Sequence, residues 1–284
     1  MNEFLRIDVA LDAAMDKLRP VSDSPRLDAE LLLARALDVQ RSYIYAHPEQ
    51  EMDPAAATRF LQAVDQRVTG MPMAYISGEK EFWSMTLLVS PDTLVPRADT
   101  EILVDQALIR IPRKSTLRIL DLGTGSGAVA LAIAKERPAC DVTATDISAS
   151  ALAVARENAR RLALPNIEFV AGNWFEPVVS RQFDVVVGNP PYVAESDPCL
   201  EKLAHEPRLA LASGHDGLDA IRHIARNAAT VMVAGSTLLL EHGETQAASV
   251  AAILGSEGWV DIRNTRDLAG LPRVTSAEKP LLQG

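Results

Sequence analysis

This chain of 284 residues is poor in cysteine and has no long hydrophobic run. Its two cysteines, Cys140 and Cys199, form no metal-ligand spacing, which favours a reducing compartment. No apolar run reaches the length of a membrane span, and residues 1–6 do not resemble the start of a signal peptide. We therefore expect a cytoplasmic protein without membrane contact.

An excess of positive charge is also missing, and so are internal repeats and low-complexity segments. The formal net charge is −10, and neither part of the chain is basic. Residues 1–90 hold 9 Lys and Arg against 14 Asp and Glu, and the remaining residues hold 19 against 24. A protein that grips bare nucleic acid through its phosphates needs a basic surface. We therefore expect no direct nucleic-acid binding.

Hydrophobic residues make up 48% of the chain and charged residues 23%, which is typical of a globular protein with room for two domains. Over the first seventy residues, apolar side chains recur at helical spacing. The expected inward positions are Phe4, Ile7, Leu11, Ala14, Leu18, Leu27, Leu31, Ala34, Leu37, Ala57, Phe60, Leu61, Val64 and Val68. The pattern predicts a small all-α domain over residues 1–72. An acidic helical bundle ahead of a catalytic domain favours partner recognition over a purely structural role.

Residues 73–98 read as a linker with a short β-hairpin, and residues 99–284 as alternating strands and helices. The expected strands are 117–122, 142–146, 167–170, 183–188 and 237–241, with 259–263 as the last clear strand. This alternation predicts a doubly wound α/β domain whose mostly parallel sheet is covered on both faces. Ligands in such sheets bind at the carboxyl ends of the strands.

A strand runs into a glycine turn and then a helix over residues 119–130. Gly123, Gly125 and Gly127 leave no Cβ in the way, so that a ligand can lie directly on the backbone. The intervening Thr124 and Ser126 belong to the same turn. The turn predicts a site for a nucleotide-like cofactor.

Two carboxylates near this turn bear on which cofactor it holds. The pattern Gly-x-Gly-x-x-Ala, with Asp146 about twenty residues on, also fits an NAD-dependent dehydrogenase. Asp121 favours another interpretation, because its charge disfavours a pyrophosphate and suits the ammonium and sulfonium groups of S-adenosylmethionine. A turn-capping carboxylate is the alternative for Asp121. Asp146 can accept hydrogen bonds from two ribose hydroxyls.

The second motif, Asn189-Pro190-Pro191-Tyr192, follows an apolar strand. An amide nitrogen is a poor nucleophile and must be oriented before a methyl group can reach it. The side-chain oxygen of Asn189 and the carbonyl of Pro190 can accept its two N–H bonds, and the prolines hold both acceptors rigid. Tyr192 offers an aromatic face to a planar group. A cofactor site paired with an amide or amine site indicates a methyltransferase, in which no general base is required.

For several other residues the sequence allows both a role in the site and a purely structural role. Asn173 or Trp174 could contact an adenine, although a lone Trp is more often packing. Arg97 and Glu101 could line the site or form a surface ion pair or cap. The histidines at 205, 215, 223 and 242 show no metal-ligand spacing, so we expect no metal. Glu241-His242-Gly243 ends a strand near the expected site, but packing and capping explain it equally well.

Over nearly its whole length the chain resembles the protein-(glutamine-N5) methyltransferases that modify peptide chain release factors. The resemblance rests on the glycine turn, the Asn-Pro-Pro-Tyr motif, Tyr75-Ile76-Ser77-Gly78, Leu94-Val95-Pro96-Arg97, Asp99-Thr100-Glu101, Asn173-Trp174-Phe175, Glu206-Pro207-Arg208-Leu209 and Leu240-Glu241-His242-Gly243. It implies a seven-stranded Rossmann-like methyltransferase domain preceded by a helical domain that engages the release factor. It also implies methyl transfer from S-adenosylmethionine to the glutamine of the factor's Gly-Gly-Gln loop, which affects translation termination.

Carried over by position, the resemblance assigns two sets of site residues. The implied S-adenosylmethionine contacts are Gly123, Thr124, Gly125, Ser126, Gly127, Asp146, Trp174 and Asn189. The implied substrate contacts are Asn189, Pro190, Pro191 and Tyr192, of which Asn189, Pro190 and Tyr192 carry the catalysis.

Other functions remain as alternatives. A nucleic-acid adenine-N6 methyltransferase uses similar chemistry on an exocyclic amine but needs a basic surface. A glutamine methyltransferase acting on a ribosomal protein would differ mainly in the linker, where residues 96–101 favour the release-factor branch. A dehydrogenase leaves the second motif unexplained, and a non-catalytic binding module would be expected to lack Asn189 or a turn glycine.

Overall fold

The computed structural model describes residues 5–281, so that Phe4 lies outside the described part. The chain divides into two compact units, residues 1–78 and residues 79–284. The described helices of the first unit are α1 (Ile7–Leu18), α2 (Pro25–Leu37), α3 (Arg41–Ala46), α4 (Pro54–Val68) and α5 (Met73–Ser77). Asp53 caps α4, because its carboxylate accepts the backbone N–H groups of Ala55 and Ala56.

The inward face of α2 differs from the expected one. Leu27 and Leu31 are 39% and 40% exposed, whereas Glu30 is buried at 1% exposure. The Glu30 carboxylate accepts a hydrogen bond from Arg41 at 2.7 Å and another from Tyr45 at 2.5 Å. A buried carboxylate is tolerated when it is paired and hydrogen-bonded. The apolar pattern alone therefore gave the wrong face for Leu27 and Leu31. On α4 the expected inward positions Leu61 and Val68 are likewise wrong, since they are 44% and 38% exposed.

The second unit begins with the expected hairpin, formed by β1 (Glu79–Phe82) and β2 (Met85–Leu88), which pair antiparallel. A helix, α6 (Glu101–Arg110), then leads into the main sheet. Its strands are β3 (Arg118–Leu122), β4 (Asp141–Asp146), β5 (Ile167–Ala171), β6 (Phe183–Gly188), β7 (Met232–Glu241), β8 (Val260–Arg266) and β9 (Pro272–Glu278). The helices that accompany them are α7 (Ala128–Glu136), α8 (Ala149–Arg161), α9 (Cys199–Lys202), α10 (Asp219–Asn227) and α11 (Ala247–Ser256).

The seven strands lie in the order β5-β4-β3-β6-β7-β9-β8. Strands β3 to β7 are parallel, and β9 runs antiparallel between β7 and β8. One apolar cluster includes α6 and α7 on one face, and a second includes α10 and α11 on the other. The sheet is therefore doubly wound, and its direction of winding reverses between β3 and β6. The carboxyl ends of these two neighbours carry the two sequence motifs, and that is where an open α/β sheet binds its ligand.

The expectation that residues 259–263 form the last strand is wrong, because β9 follows and inserts between β7 and β8. This strand begins with Pro272 and carries two polar residues, Thr275 and Ser276, at buried positions. Hydrogen bonds satisfy them: Arg110 donates to the Ser276 hydroxyl at 2.8 Å, for example. Polar residues buried in this way hide a strand from a search for apolar runs.

No helix within residues 5–281 is both long enough and apolar enough to cross a membrane.

Candidate active site

The glycine turn lies at the carboxyl end of β3, and its glycines take positive φ angles. Gly125 has φ of +56°, and a Cβ built on it would meet no atom within 4 Å. Gly127 has φ of +86°, and a Cβ there would lie 2.9 Å from Cδ1 of Leu131. Gly125 thus leaves space for a ligand on the backbone, whereas Gly127 lets the turn pass closely over α7.

Asp146 ends the neighbouring strand β4 and holds the turn in place. One carboxylate oxygen accepts the N–H of Gly125 at 2.8 Å, and the other accepts the N–H of Ser148 at 2.8 Å. Each carboxylate oxygen has a second lone pair. Asp146 can therefore still accept the hydroxyl groups of a ligand that lies on the turn.

Asp121 lies within β3 just before the turn and is only 2% exposed. Its carboxyl accepts the hydroxyl of Thr124 at 2.6 Å. Burial raises the pKa of Asp121 to about 7, the nearby charge of Asp146 adds to the rise, and the Thr124 hydrogen bond opposes it. A cation close to Asp121 would favour its charged form, so the site suits a positively charged ligand.

A cavity of about 470 Å³ opens along the carboxyl ends of these strands, a volume within the range of small-molecule sites. It brings together most of the residues predicted from the sequence. Those that line it are Gly123, Thr124, Gly125, Ser126, Asp146, Trp174, Asn189 and Pro191. Among the described residues, Gly127, Pro190 and Tyr192 are outside this lining.

The Trp174 ring forms part of the cavity wall. A Cβ built on Gly123 would lie 3.5 Å from it. The ring centroid lies 6.3 Å from that of His223, which also lines the cavity. No role was predicted for His223, because a lone histidine is usually structural. Asn173 lines the cavity as well, with its side-chain amide facing Glu176 at 3.4 Å.

Asn189 follows β6 directly and faces both the cavity and the residues that precede α6. Its side-chain Nδ2 donates a hydrogen bond to Oγ1 of Thr100 at 3.3 Å. This contact leaves the other end of the amide, Oδ1, available as an acceptor. No role was predicted for Thr100, since 89 residues separate the two partners and no local pattern connects them.

Tyr192 is outside the cavity lining but contacts two residues near it. Its backbone carbonyl accepts a hydrogen bond from Nε2 of Gln246 at 2.9 Å, which anchors the main chain after the two prolines. Its phenol lies 3.4 Å from Oε1 of Glu241. Burial raises the pKa of the Tyr192 phenol, and the Glu241 carboxyl raises it further, so the phenol stays protonated and acts as a donor.

The two residues near the start of α6 whose roles the sequence left open, Arg97 and Glu101, differ in whether they line the cavity. Arg97 lines the cavity and forms an ion pair with Glu206, whose carboxylate also accepts the N–H of Val95 at 3.0 Å. Glu206 is 6% exposed, and these two contacts tie the segment before α6 to the loop after α9. Among the described residues Glu101 does not line the cavity, and it accepts the N–H of Trp83 at 2.9 Å instead.

His242 has a structural role. It is fully buried, with Nδ1 donating to the carbonyl of Gly243 at 2.9 Å and Nε2 lying 2.8 Å from the Thr275 hydroxyl. Burial lowers the pKa of His242 and keeps the ring neutral. Within residues 5–281, no group of three or more His, Cys, Asp or Glu side chains is arranged to hold a metal ion.

Comparison with family models matches two parts of the chain. Residues 10–78 match the PrmC N-terminal domain, and residues 99–216 match the methyltransferase small domain. Among solved structures, a methyltransferase from Pyrococcus furiosus has a TM-score of 0.54 at 18% identity, over 69% of this chain and 90% of that chain. The T. thermophilus 16S rRNA N2 G1207 methyltransferase, solved with AdoMet and guanosine, has a TM-score of 0.54 at 16% identity, over 71% of this chain and 49% of that one. At these identities the structures show the fold alone, which is the Rossmann-like methyltransferase fold.

Relatives over nearly the whole chain are much closer in sequence. The release factor glutamine methyltransferase of Coxiella burnetii is 45% identical over 97% of this chain and 99% of its own length. The proteins of the same name from Salmonella typhimurium and Escherichia coli are 45% and 41% identical, over 93% and 89% of this chain and 96% and 92% of their own lengths. The protein is therefore a methyltransferase, and the chain belongs to the release factor glutamine methyltransferase family.

Proposed function

We propose that the protein transfers the methyl group of S-adenosylmethionine to the side-chain amide nitrogen, N5, of the glutamine in the Gly-Gly-Gln motif of peptide chain release factors. One observation carries this proposal. In a chain of this family, Asn189 of the Asn-Pro-Pro-Tyr motif lies in the same cavity as the glycine turn and Asp146. A group held by Asn189 and a ligand held on the turn would therefore be neighbours. Methylation of that glutamine would act on translation termination.

The cavity fits S-adenosylmethionine, which supplies an electrophilic methyl group on a sulfonium. The open space over Gly125 admits a ligand against the backbone. Asp146 would accept the two ribose hydroxyls, and the ring of Trp174 would lie against the adenine. Asp121, buried and about half ionised at neutral pH, would face the ammonium group and become fully ionised as the cation arrives. Thr124 and Ser126 complete the turn, and Gly127 starts the helix behind it.

Asn189 and Pro190 would orient the substrate amide. With Nδ2 of Asn189 donating to Thr100, its Oδ1 is left to accept one N–H of the glutamine, and the Pro190 carbonyl would accept the other. Two acceptors held by adjacent prolines need little reorganisation as the methyl group arrives. Pro191, which lines the cavity, and Tyr192 would enclose the planar amide. The proton released from the methylated nitrogen can pass to water or to a backbone oxygen.

Recognition of the intact release factor is assigned to residues 1–72, with residues 73–98 as linker and residues 99–284 as the methyl-transferring domain. The first 90 residues are acidic, with 9 Lys and Arg against 14 Asp and Glu, which disfavours RNA as the docking partner. We accordingly assign a protein substrate and no direct nucleic-acid contact.

The test uses methyl-labelled S-adenosylmethionine, the full-length protein and a purified bacterial release factor. Mass spectrometry of the digested factor is expected to place one methyl group on the glutamine of the Gly-Gly-Gln motif. A release factor with that glutamine replaced by alanine is the matched control and is expected to stay unlabelled. Label on another residue, or equal labelling of the control, would contradict the proposal.

A further inference from the structure

A buried carboxylate lies behind Asn189 and has no part in the reaction described so far. Glu241 is the last residue of β7 and is 1% exposed. Its Oε2 atom has no hydrogen-bond partner among residues 5–281. Unpaired buried carboxylate oxygens are costly, so this acceptor calls for a functional explanation.

Four groups from three parts of the chain face the Glu241 carboxyl: Asp99 and Thr100 before α6, Tyr192 after β6, and Arg273 in β9. The phenol of Tyr192 lies 3.4 Å from Oε1, and the hydroxyl of Thr100 stabilises the anion. The guanidinium of Arg273 also favours the charged form, while the carboxylate of Asp99 opposes it. Burial outweighs the favourable contacts and raises the pKa of Glu241 to about 7. Around neutral pH the group therefore exists both as an anion and as an acid.

The direction of each hydrogen bond follows from the chemistry of these groups. An ionised carboxylate only accepts hydrogen bonds, so the hydroxyl of Thr100 must point its proton towards Glu241. The Thr100 oxygen can then only accept from Asn189, which matches the Nδ2 contact at 3.3 Å. An asparagine amide whose nitrogen is held in this way presents its oxygen on the opposite side.

We propose that Glu241 is a positioning residue: by accepting the Thr100 hydroxyl proton it forces Asn189 to present its oxygen, and not its NH₂ group, to the substrate amide. An NH₂ group at that place would repel the N–H bonds of the glutamine. The same carboxylate accepts a hydrogen bond from the phenol of Tyr192 and so acts on both functional side chains of the Asn-Pro-Pro-Tyr motif. This role rests on the proposed glutamine methylation.

Glu241→Gln tests the role, because glutamine has nearly the same shape but brings an NH₂ donor. That donor lets the Thr100 hydroxyl turn towards Asn189, so that the amide loses its fixed orientation. We expect kcat to fall by about tenfold to a hundredfold, because the Asn189 oxygen would no longer be held towards the amide that reacts. The KM for S-adenosylmethionine and the Kd of S-adenosylhomocysteine are expected to change by less than about threefold. Glu278→Gln, at an exposed carboxylate of β9, is the matched control.

A second pair of variants does not alter the buried carboxylate itself. Thr100→Val keeps the branched shape but removes the hydroxyl, and we expect the same loss of kcat. Thr100→Ser keeps the hydroxyl, and we expect most of the activity to return. A purely structural role of residue 100 would give the opposite order, because valine fills the buried site better than serine does.

The pH profile supplies a readout that packing alone would not change. With saturating S-adenosylmethionine, kcat of the wild type is expected to rise as the pH passes about 7, where Glu241 loses its proton. Glu241→Gln is expected to flatten this rise. Unchanged kcat in both Glu241→Gln and Thr100→Val, with an active wild type, would overturn the role of Glu241 alone. A wild type that leaves the glutamine unmethylated would overturn the proposed function and this role together.

Discussion

The proposed contact between Asp121 and the ammonium group of the cofactor predicts how the cofactor affinity depends on pH. Its pKa of about 7 in the free protein means that the carboxyl is about half ionised at neutral pH. A ligand that carries an ammonium group binds the ionised form, and below the pKa each pH unit then weakens binding about tenfold. Between about pH 8 and about pH 6 we therefore expect Kd to rise about tenfold, or about 1.4 kcal/mol.

Isothermal titration calorimetry with S-adenosylmethionine measures this directly. Titrations at about pH 7 in buffers of different ionisation enthalpy should show release of about half a proton on binding, since the carboxyl is half protonated beforehand. Asp121→Asn keeps an acceptor for Thr124 but cannot ionise, so we expect weaker binding at high pH and little dependence on pH. The same variant is expected to raise the Tm of the cofactor-free protein above about pH 7, because it removes a charge that the fold buries.

A control variant separates Asp121 from the other carboxyl with a pKa near 7. Glu241 does not line the cavity among the described residues, so Glu241→Gln is expected to keep the pH dependence of Kd. Equal binding by the wild type at both pH values would contradict the proposed role of Asp121. If the Kd of Asp121→Asn depends on pH as the Kd of the wild type does, Asp121 is not the group responsible.

Three further predictions concern the site and the helical unit. Asn189→Ala is expected to lower methyl transfer by about two decades or more while the Kd of S-adenosylhomocysteine stays within a few-fold, and unchanged turnover would reject the catalytic assignment. Gly127→Ala is expected to lower the free energy of unfolding in urea by about 1–3 kcal/mol, because its positive φ and the close approach to Leu131 both disfavour a Cβ. The control Gly258→Ala has a positive φ but open space around the Cβ, so its free energy of unfolding should fall by less. Deleting residues 1–72 is expected to abolish methylation of an intact release factor, and full activity of the folded truncated protein would return that unit to a scaffold role.

Periodicity and turn chemistry predict most of the parallel strands, because buried parallel strands read as continuous apolar runs. Strand β6 agrees with the prediction over its full length, 183–188. Strand β9 escapes prediction, since its buried Thr275 and Ser276 look solvent-facing in the sequence. The face of α2 is predicted wrongly for a related reason: Glu30 is buried by virtue of partners on α3 that helical spacing does not reveal.

The residues of the candidate site also fall into two groups: those that a local motif predicts and those that only the fold reveals. Glycine positions and an Asn-Pro-Pro-Tyr motif are local signals, and Gly125, Asp146 and Asn189 do line one cavity. The partners of those residues are long-range. Thr100 contacts Asn189 across 89 residues, and Glu241 meets Tyr192 across 49. The sheet order, which brings β6 next to β7, accounts for the contact of Glu241 with Tyr192. The contact of Thr100 with Asn189 depends instead on where the residues before α6 lie, which no local pattern reveals.

The most direct test of the central claim is a crystal structure of the full-length protein with S-adenosylhomocysteine and a peptide that contains Gly-Gly-Gln. We expect the glutamine amide to donate one hydrogen bond to Oδ1 of Asn189 and the other to the carbonyl of Pro190, with its nitrogen facing the sulfur. A complex in which the amide lies beyond hydrogen-bonding reach of both oxygens, while the cofactor product occupies the glycine turn, would contradict the account.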